Sequence, residues 1–504
     1  MPIVYNDHKV LAPHLLFKEL QNLECFADTF GDPDLWEIFW AHVQDEVWFR
    51  EHPQREEILA NPRGHVPFVL HGDDAPCSRR VGRNINLLSM HCPLGRGHST
   101  DSRKILLSVL PNDDPMSKMM HKQAKRAIVW SLNAASKNQH PADWIFDSEP
   151  PKFVADNFNQ TLCPTGPKLT FIGDVGDWDW FAKDFELEWH FNKEEVCAIC
   201  HAKKHGLTCN MANASPTADW LLHSRSLQDY LDTLIRRDPT GSQWNPLVFV
   251  RGFHTHSFFE DQLHADCLGI RQHANGSCLL TLCEEGVWGD LSAPTGSWDD
   301  KLDFVLQKAY DEFNAWCAGA KLEQSQPKFR ALTLSLHKKS DFPILKSKGK
   351  NSVVLTRWLM QETQRSVDAG APDASLRFSM LWGLNELFLI PEAMRPRFIF
   401  TDEELLRIES ARKALLMGFH ELHKRAALRG QNLFNVTPKF HAVDHMVRRG
   451  LRTRVSWHLF WCFASEDAIG SVAKVCAKTH GATTSHRVLQ RWLVFFWSTF
   501  CVPG

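Results

Sequence analysis

At 504 residues the chain exceeds what a single hydrophobic core usually organises, so two or three packed units are expected. Hydrophobic residues make up 43% and charged residues 23%, which excludes wholesale disorder. Lys and Arg number 57 against 59 Asp and Glu, a formal net charge of −2; this excludes a global basic field and leaves nucleic-acid contact to local patches.

The first sixty residues read as helical, with apolar residues at three-and-four spacing over 11–23 and 35–49 and Asp32-Pro33-Asp34 as a start signal for the second helix. The pattern then changes. Short apolar runs at 66–70, 85–90 and 105–110, separated by Gly, Pro and polar residues, predict an antiparallel meander, the first strand ending in His71-Gly72-Asp73-Asp74. An amphipathic helix is expected over 116–135, with Met119, Met120, Ile128, Val129 and Leu132 facing a core. A fourth strand, 168–173, ends at Asp174-Val-Gly-Asp177.

From about 180 to 455 helices dominate, among them 298–316 and 401–429. The latter opens on the capping-box pattern Thr401-Asp-Glu-Glu404 and closes at Gly430. Residues 338–350 form a basic loop, and two last helices begin near Ser465 and Ser485. The expected organisation is therefore an N-terminal helical segment (1–60), a sheet region (61–180), a mainly helical insertion (181–455) and C-terminal helices (456–504).

The 14 cysteines are expected to be free. The N-terminus lacks a charged segment followed by an apolar one, which points to a nuclear or cytoplasmic protein that is not secreted. The apolar stretch 492–502 is too short to span a bilayer, so no membrane partner is expected.

Several groups carry chemistry. Carboxylates at strand ends are held by a rigid scaffold facing a cleft, and Asp73 and Asp177 fit this description. With a helical third acid, Glu466, they form a set suited to two Mg²⁺ or Mn²⁺ ions and phosphoryl transfer; a bland reading makes Glu466 and Asp467 first-turn acids capped by Ser465. Asp261 and His264, at i and i+3 on a helix, share a face. Cys197-Ala-Ile-Cys200-His201, with His205 and Cys209, offers five candidates for a four-ligand Zn²⁺ site. Pro438-Lys-Phe-His441 with His445 places two imidazoles at i and i+4. Arg448, Arg449, Arg452 and Arg454 follow, and with Lys346, Lys348 and Lys350 they are candidate phosphate contacts.

Taken in order, His71-Gly72-Asp73, Gly176-Asp177-Trp178 leading to Cys197-x-x-Cys200, Asp261-x-x-His264 with Leu268-Gly269-Ile270, Pro438-Lys-Phe-His441, and Glu466-Asp467 with Gly470 resemble cut-and-paste DNA transposases. The similarity is to groups with a Cys/Asp-x-x-His signature (hAT-like, CACTA-like) and to transposase-like proteins of some protists. It covers roughly residues 60–495. The resemblance implies an α/β, ribonuclease-H-like core in β-β-β-α-β order, a large helical insertion, and metal-dependent DNA strand cleavage and transfer. Asp73, Asp177 and Glu466 become the metal-binding triad, with Asp74 and Asp174 as fallbacks, and Asp261 and His264 an auxiliary pair. Transposon-end DNA and a second copy of the chain are the implied partners. The first sixty residues show neither Cys/His spacing nor a basic face, which keeps a degenerate or domesticated copy in view, and beside it a non-catalytic nucleic-acid- or protein-binding factor with a structural zinc site.

Overall fold

The computed structural model describes the chain except residues 1, 6–7, 22, 24–25, 79–82, 97–103, 113–116, 147–148, 151, 292–295, 339, 481–482 and 502–504. Positions 116, 339 and 502 of the expected segments lie outside the described residues. The chain divides into two compact units, one formed by 1–190, 225–259 and 459–504, the other by 191–224 and 260–458. It is a mixed α/β protein.

The first unit is built on one mixed sheet. Its strands are β1 (Pro2–Tyr5), β2 (His8–Leu11), β3 (His65–Ser78), β4 (Arg83–His91), β5 (Lys104–Pro111), β6 (Lys168–Gly176) and β7 (Phe258–Glu260), in the order β1-β2-β5-β4-β3-β6-β7. β3, β4 and β5 form an antiparallel meander, and β6 returns parallel to β3 after helix Ser117–Lys137. The β5 strand is apolar and buried almost throughout, as a strand covered on both faces must be. Helices Pro13–Gln21 and Ser117–Lys137 pack together on one side, the latter also against β6; helices Phe463–Cys476 and Thr484–Cys501 pack against β3 and β5.

Four expectations need correction. The N-terminal sixty residues open on the short strands β1 and β2, which join the sheet through the pairing of Val10 with Ser108. Four-residue strands give no periodicity long enough to read. The segment is also not a separate helical unit. Trp36, Phe39, Trp40 and Trp48 are buried within the first unit, and the Trp40 indole N–H donates to the His65 carbonyl at the start of β3 (2.8 Å). β3 runs fourteen residues, so Asp73 and Asp74 lie inside the strand rather than beyond its end. Met119 is exposed, whereas Ile128, Val129 and Leu132 are buried.

The second unit is helical. Its principal helices are Arg271–Glu284, Trp298–Gly319, Gly349–Asp368, Ala374–Ala393, Asp402–Leu428 and Pro438–Thr453. Helices Ala374–Ala393 and Asp402–Leu428 approach closely at Gly383, where an added Cβ would lie 2.4 Å from the Ala411 carbonyl oxygen. The Thr401 hydroxyl accepts from the Glu404 N–H and the Glu404 carboxylate from the Thr401 N–H, and Gly430 takes φ +71° after the last turn. No helix among the described residues is long and apolar enough to cross a membrane.

Candidate functional site

The most convergent group of polar side chains lies in the second unit. Cys197 and Cys200 sit on an irregular ribbon whose backbone is tied locally. The Val196 N–H donates to Ala202, the His201 N–H to His223, and the Ile199 N–H to the Cys197 sulfur (3.3 Å). His441 and His445 lie one turn apart on helix Pro438–Thr453, where i and i+4 share a face. Their Nε2 atoms turn to the thiols: Cys200 Sγ is 3.2 Å from His441 and 3.3 Å from His445, and Cys197 Sγ is 3.6 Å from His445. All four ligand atoms lie within 4.8 Å of one another.

These distances can be tested against a metal. Zinc bonds of about 2.3 Å to sulfur and 2.0–2.1 Å to nitrogen put tetrahedral ligand atoms roughly 3.3–3.8 Å apart. The observed separations of 3.2–3.6 Å match that spacing, so the four residues could hold a metal ion with little movement. Cys197, Cys200 and His441 are buried. Burial disfavours ionisation of the Cys197 thiol, but hydrogen bonding with Cys200 and the charge of His445 outweigh it, and the thiol is held well below its usual range. Burial lowers His441, whereas for His445 the facing Cys197 overcomes burial and raises it. A thiolate beside imidazoles is the donor set that soft and borderline cations prefer.

The surroundings fix the two histidines. The Trp220 ring stands edge-on to His441 at 4.5 Å and tilted to His445 at 5.0 Å. On the same helix, the Asp444 carboxylate accepts from Arg412 and Arg448 (2.9 Å each), and both guanidiniums also donate to the Ala214 carbonyl. Ribbon and helix are thus joined by guanidinium–carbonyl hydrogen bonds as well as by the Cys/His group.

The expected zinc set is corrected in part. Cys197 and Cys200 belong to the centre, but His201, His205 and Cys209 do not. His205 is exposed with its backbone N–H on the Glu194 carboxylate, and Cys209 sits at φ +53° with its N–H on the Asp219 carboxylate (2.6 Å). The other two members of the cluster, His441 and His445, come instead from a helix that begins far along the chain, His441 lying 241 residues after Cys200.

Asp261 is fully buried and bonded to His264: its carboxylate accepts from the backbone N–H groups of Leu263 and His264 and lies 2.7 Å from His264 Nδ1. It opens the π-helical turn Leu263–Ile270, which Gly269 kinks where the Lys439 side chain passes. The Lys439 ammonium donates to the Leu268 carbonyl, so this turn rests on the helix that carries His441 and His445.

The three acids lie in the first unit. Successive strand residues face opposite sides, so Asp73 shares the face of His71, the side covered by helix Phe463–Cys476. Glu466 sits in that helix's first turn. Cys462, not Ser465, is the N-cap, because the helix begins two residues earlier than expected. Asp177 follows the end of β6, the parallel neighbour of β3, and caps helix Trp178–Asp184 by accepting from the Trp180 N–H (2.5 Å). Among the described residues Asp73, Asp177 and Glu466 do not form a group with ligand atoms within 4.8 Å of one another. Of the fallbacks, Asp74 accepts from the Asn86 amide (2.8 Å), and its charge, with those of Asp177 and above all Asp179, raises Lys183. Asp174 pairs in register with Leu70 and so faces away from Asp73; it is wholly buried, and burial followed by the charge of Asp184 raises its carboxyl well above the usual range. That placement removes Asp174 as a substitute ligand.

The candidate phosphate contacts divide into two kinds. Lys346, Lys348 and Lys350 are exposed around the start of helix Gly349–Asp368. In the arginine run, Arg448 is committed to Asp444, Arg449 pairs with Glu260 (3.3 Å) and Arg454 with Asp402 (2.6 Å), while Arg452 is exposed. Most of that run ties the second unit together instead of forming a row of open cations. Comparison with known protein families and with curated proteins returned no match.

Proposed function

We propose that this chain is a transposase-like protein with a ribonuclease-H-like core, acting by divalent-metal-dependent cleavage and transfer of DNA strands, and that zinc occupies the Cys197, Cys200, His441 and His445 centre. The observation that carries the first part is the siting of the acids. Asp73 lies on β3, Asp177 just past the end of its parallel neighbour β6, and Glu466 in the first turn of the helix packed on β3. The meander, helix and parallel-strand order supports the core, and the helical unit lies in sequence between the second and third acids. Hard cations held by these carboxylates would neutralise charge on a phosphodiester undergoing in-line displacement. The chain's own task is to fix the acids on sheet and helix so that the phosphodiester meets them prepositioned.

Nicking of supercoiled plasmid in Mn²⁺ tests this reading. Asp73→Asn, Asp177→Asn and Glu466→Gln should each cut the rate by at least about a hundredfold while leaving circular dichroism unchanged. Wild-type nicking by Asp177→Asn, a variant that keeps the helix cap, would overturn the assignment.

A second reading, a non-catalytic factor organised around zinc, is favoured by one observation: the Cys/His ligand atoms are gathered within 4.8 Å, whereas the three carboxylates are not. It expects zinc in the purified protein and no nicking by the wild type in either Mg²⁺ or Mn²⁺.

A further inference from the structure

Helix Asp402–Leu428 packs on helices Ala374–Ala393 and Pro438–Thr453 and buries Ile408, Leu415, Phe419 and Leu422. Its outer face is open to water. There Leu406 is 73% exposed, Met417 54% and Leu428 89%. Met417 stands midway in sequence between the two leucines. Each step from one to the next is three helical turns plus about 20°, so the three side chains lie on one stripe, roughly 16 Å apart. A single exposed apolar side chain needs no explanation. Three of them at equal spacing on one helix face form an apolar ladder that another surface can cover.

The charges beside the stripe identify that surface. From its N-terminal end they run Glu409, Lys413, Glu421 and Lys424, acid and base in alternation about Met417. Read backwards, the order is base, acid, base, acid. A second copy laid antiparallel therefore sets Met417 against Met417, Leu406 against Leu428, Lys413 level with Glu421 and Glu409 close to Lys424. A parallel copy would set like charge on like. Self-complementarity of this kind is what a two-fold interface requires. Lys413 also pairs with Glu409 (3.2 Å) and Glu421 with Arg425 (2.8 Å) along their own helix. Such exposed pairs are weak and yield readily to a facing partner. We propose that a second copy of this chain docks on the outer face of helix Asp402–Leu428, the two helices antiparallel about Met417. Docking of this kind is independent of strand cleavage by the acids of the first unit and of zinc in the Cys/His cluster.

Three apolar anchors on a helix about 40 Å long place this face at the small end of specific interfaces, so a dimer Kd of roughly 1–100 µM is expected. Sedimentation velocity of the full chain, from about 1 to about 200 µM, tests it. Wild type should pass from monomer to dimer over that range. Met417→Glu, which brings two like charges together at the two-fold axis, should weaken the dimer at least about tenfold. Lys413→Glu, which then faces Glu421, should weaken it severalfold, and Lys413→Glu combined with Glu421→Lys should restore it. The charge pair carries the test should Met417→Glu fail to fold. A monomer at every concentration, a dimer unmoved by Met417→Glu, or a double variant no tighter than Lys413→Glu alone would each overturn the proposal.

Discussion

Gly72 and Asp174 lie on the same side of the β3–β6 pair, and each makes a definite demand on its neighbours. A Cβ at Gly72 would come 2.0 Å from Trp180 Cζ2, so the indole of helix Trp178–Asp184 lies directly on the β3 backbone. Gly72→Ala should lower stability by about 1–3 kcal/mol in urea denaturation, and Trp180→Phe in the same chain should recover part of the loss. Asp174 works through protons. Its folded carboxyl, raised by burial and by Asp184, keeps a proton that the unfolded chain releases above its ordinary value of 3.8. Folding therefore takes up a proton, and rising pH weakens the fold until the buried group itself ionises. Wild-type stability should fall relative to Asp174→Asn between about pH 4 and pH 7; parallel pH profiles for the two proteins would contradict this.

Elements long enough to repeat a pattern were legible from residues alone. The strands at 85–90 and 105–110 appear as Arg83–His91 and Lys104–Pro111, and Thr401 to Glu404 marked a helix start to the residue. Replacing Thr401 by Ala should cost about 1 kcal/mol, measurable by denaturation, since one hydroxyl satisfies an otherwise orphaned N–H. Short pieces were not legible: β1, β2 and β7 have three or four residues and owe their strand geometry to partners in the sheet. The Cys/His cluster shows the same division. Cys197-x-x-Cys200 and the i, i+4 imidazoles of His441 and His445 were each visible, but their pairing is a tertiary fact, and spacing favoured the nearer His201, His205 and Cys209. Cys200→Ala or His441→Ala should reduce bound zinc from near one per chain to near zero by elemental analysis. The accompanying loss of stability should be on the order of several kcal/mol, because a structural site contributes its binding energy to folding.

For the molecule as a whole, two compact units with separate cores need not unfold as one. Scanning calorimetry should resolve two transitions, and because Cys197, Cys200, His441 and His445 all belong to the second unit, a chelator such as 1,10-phenanthroline should lower only one if they hold zinc as proposed. Movement of both by the same amount would mean that the units unfold as a single cooperative body.

The separation of 241 positions between Cys200 and His441 also bears on how the chain is made. At about 5–20 residues per second, a ribosome that has just added the second thiol needs on the order of ten to fifty seconds to reach the first imidazole. Through that interval the nascent ribbon carries a pair of sulfurs without the histidines that complete the centre. A metal ion held there, as proposed, would therefore be fully enclosed only after His441 and His445 have been added.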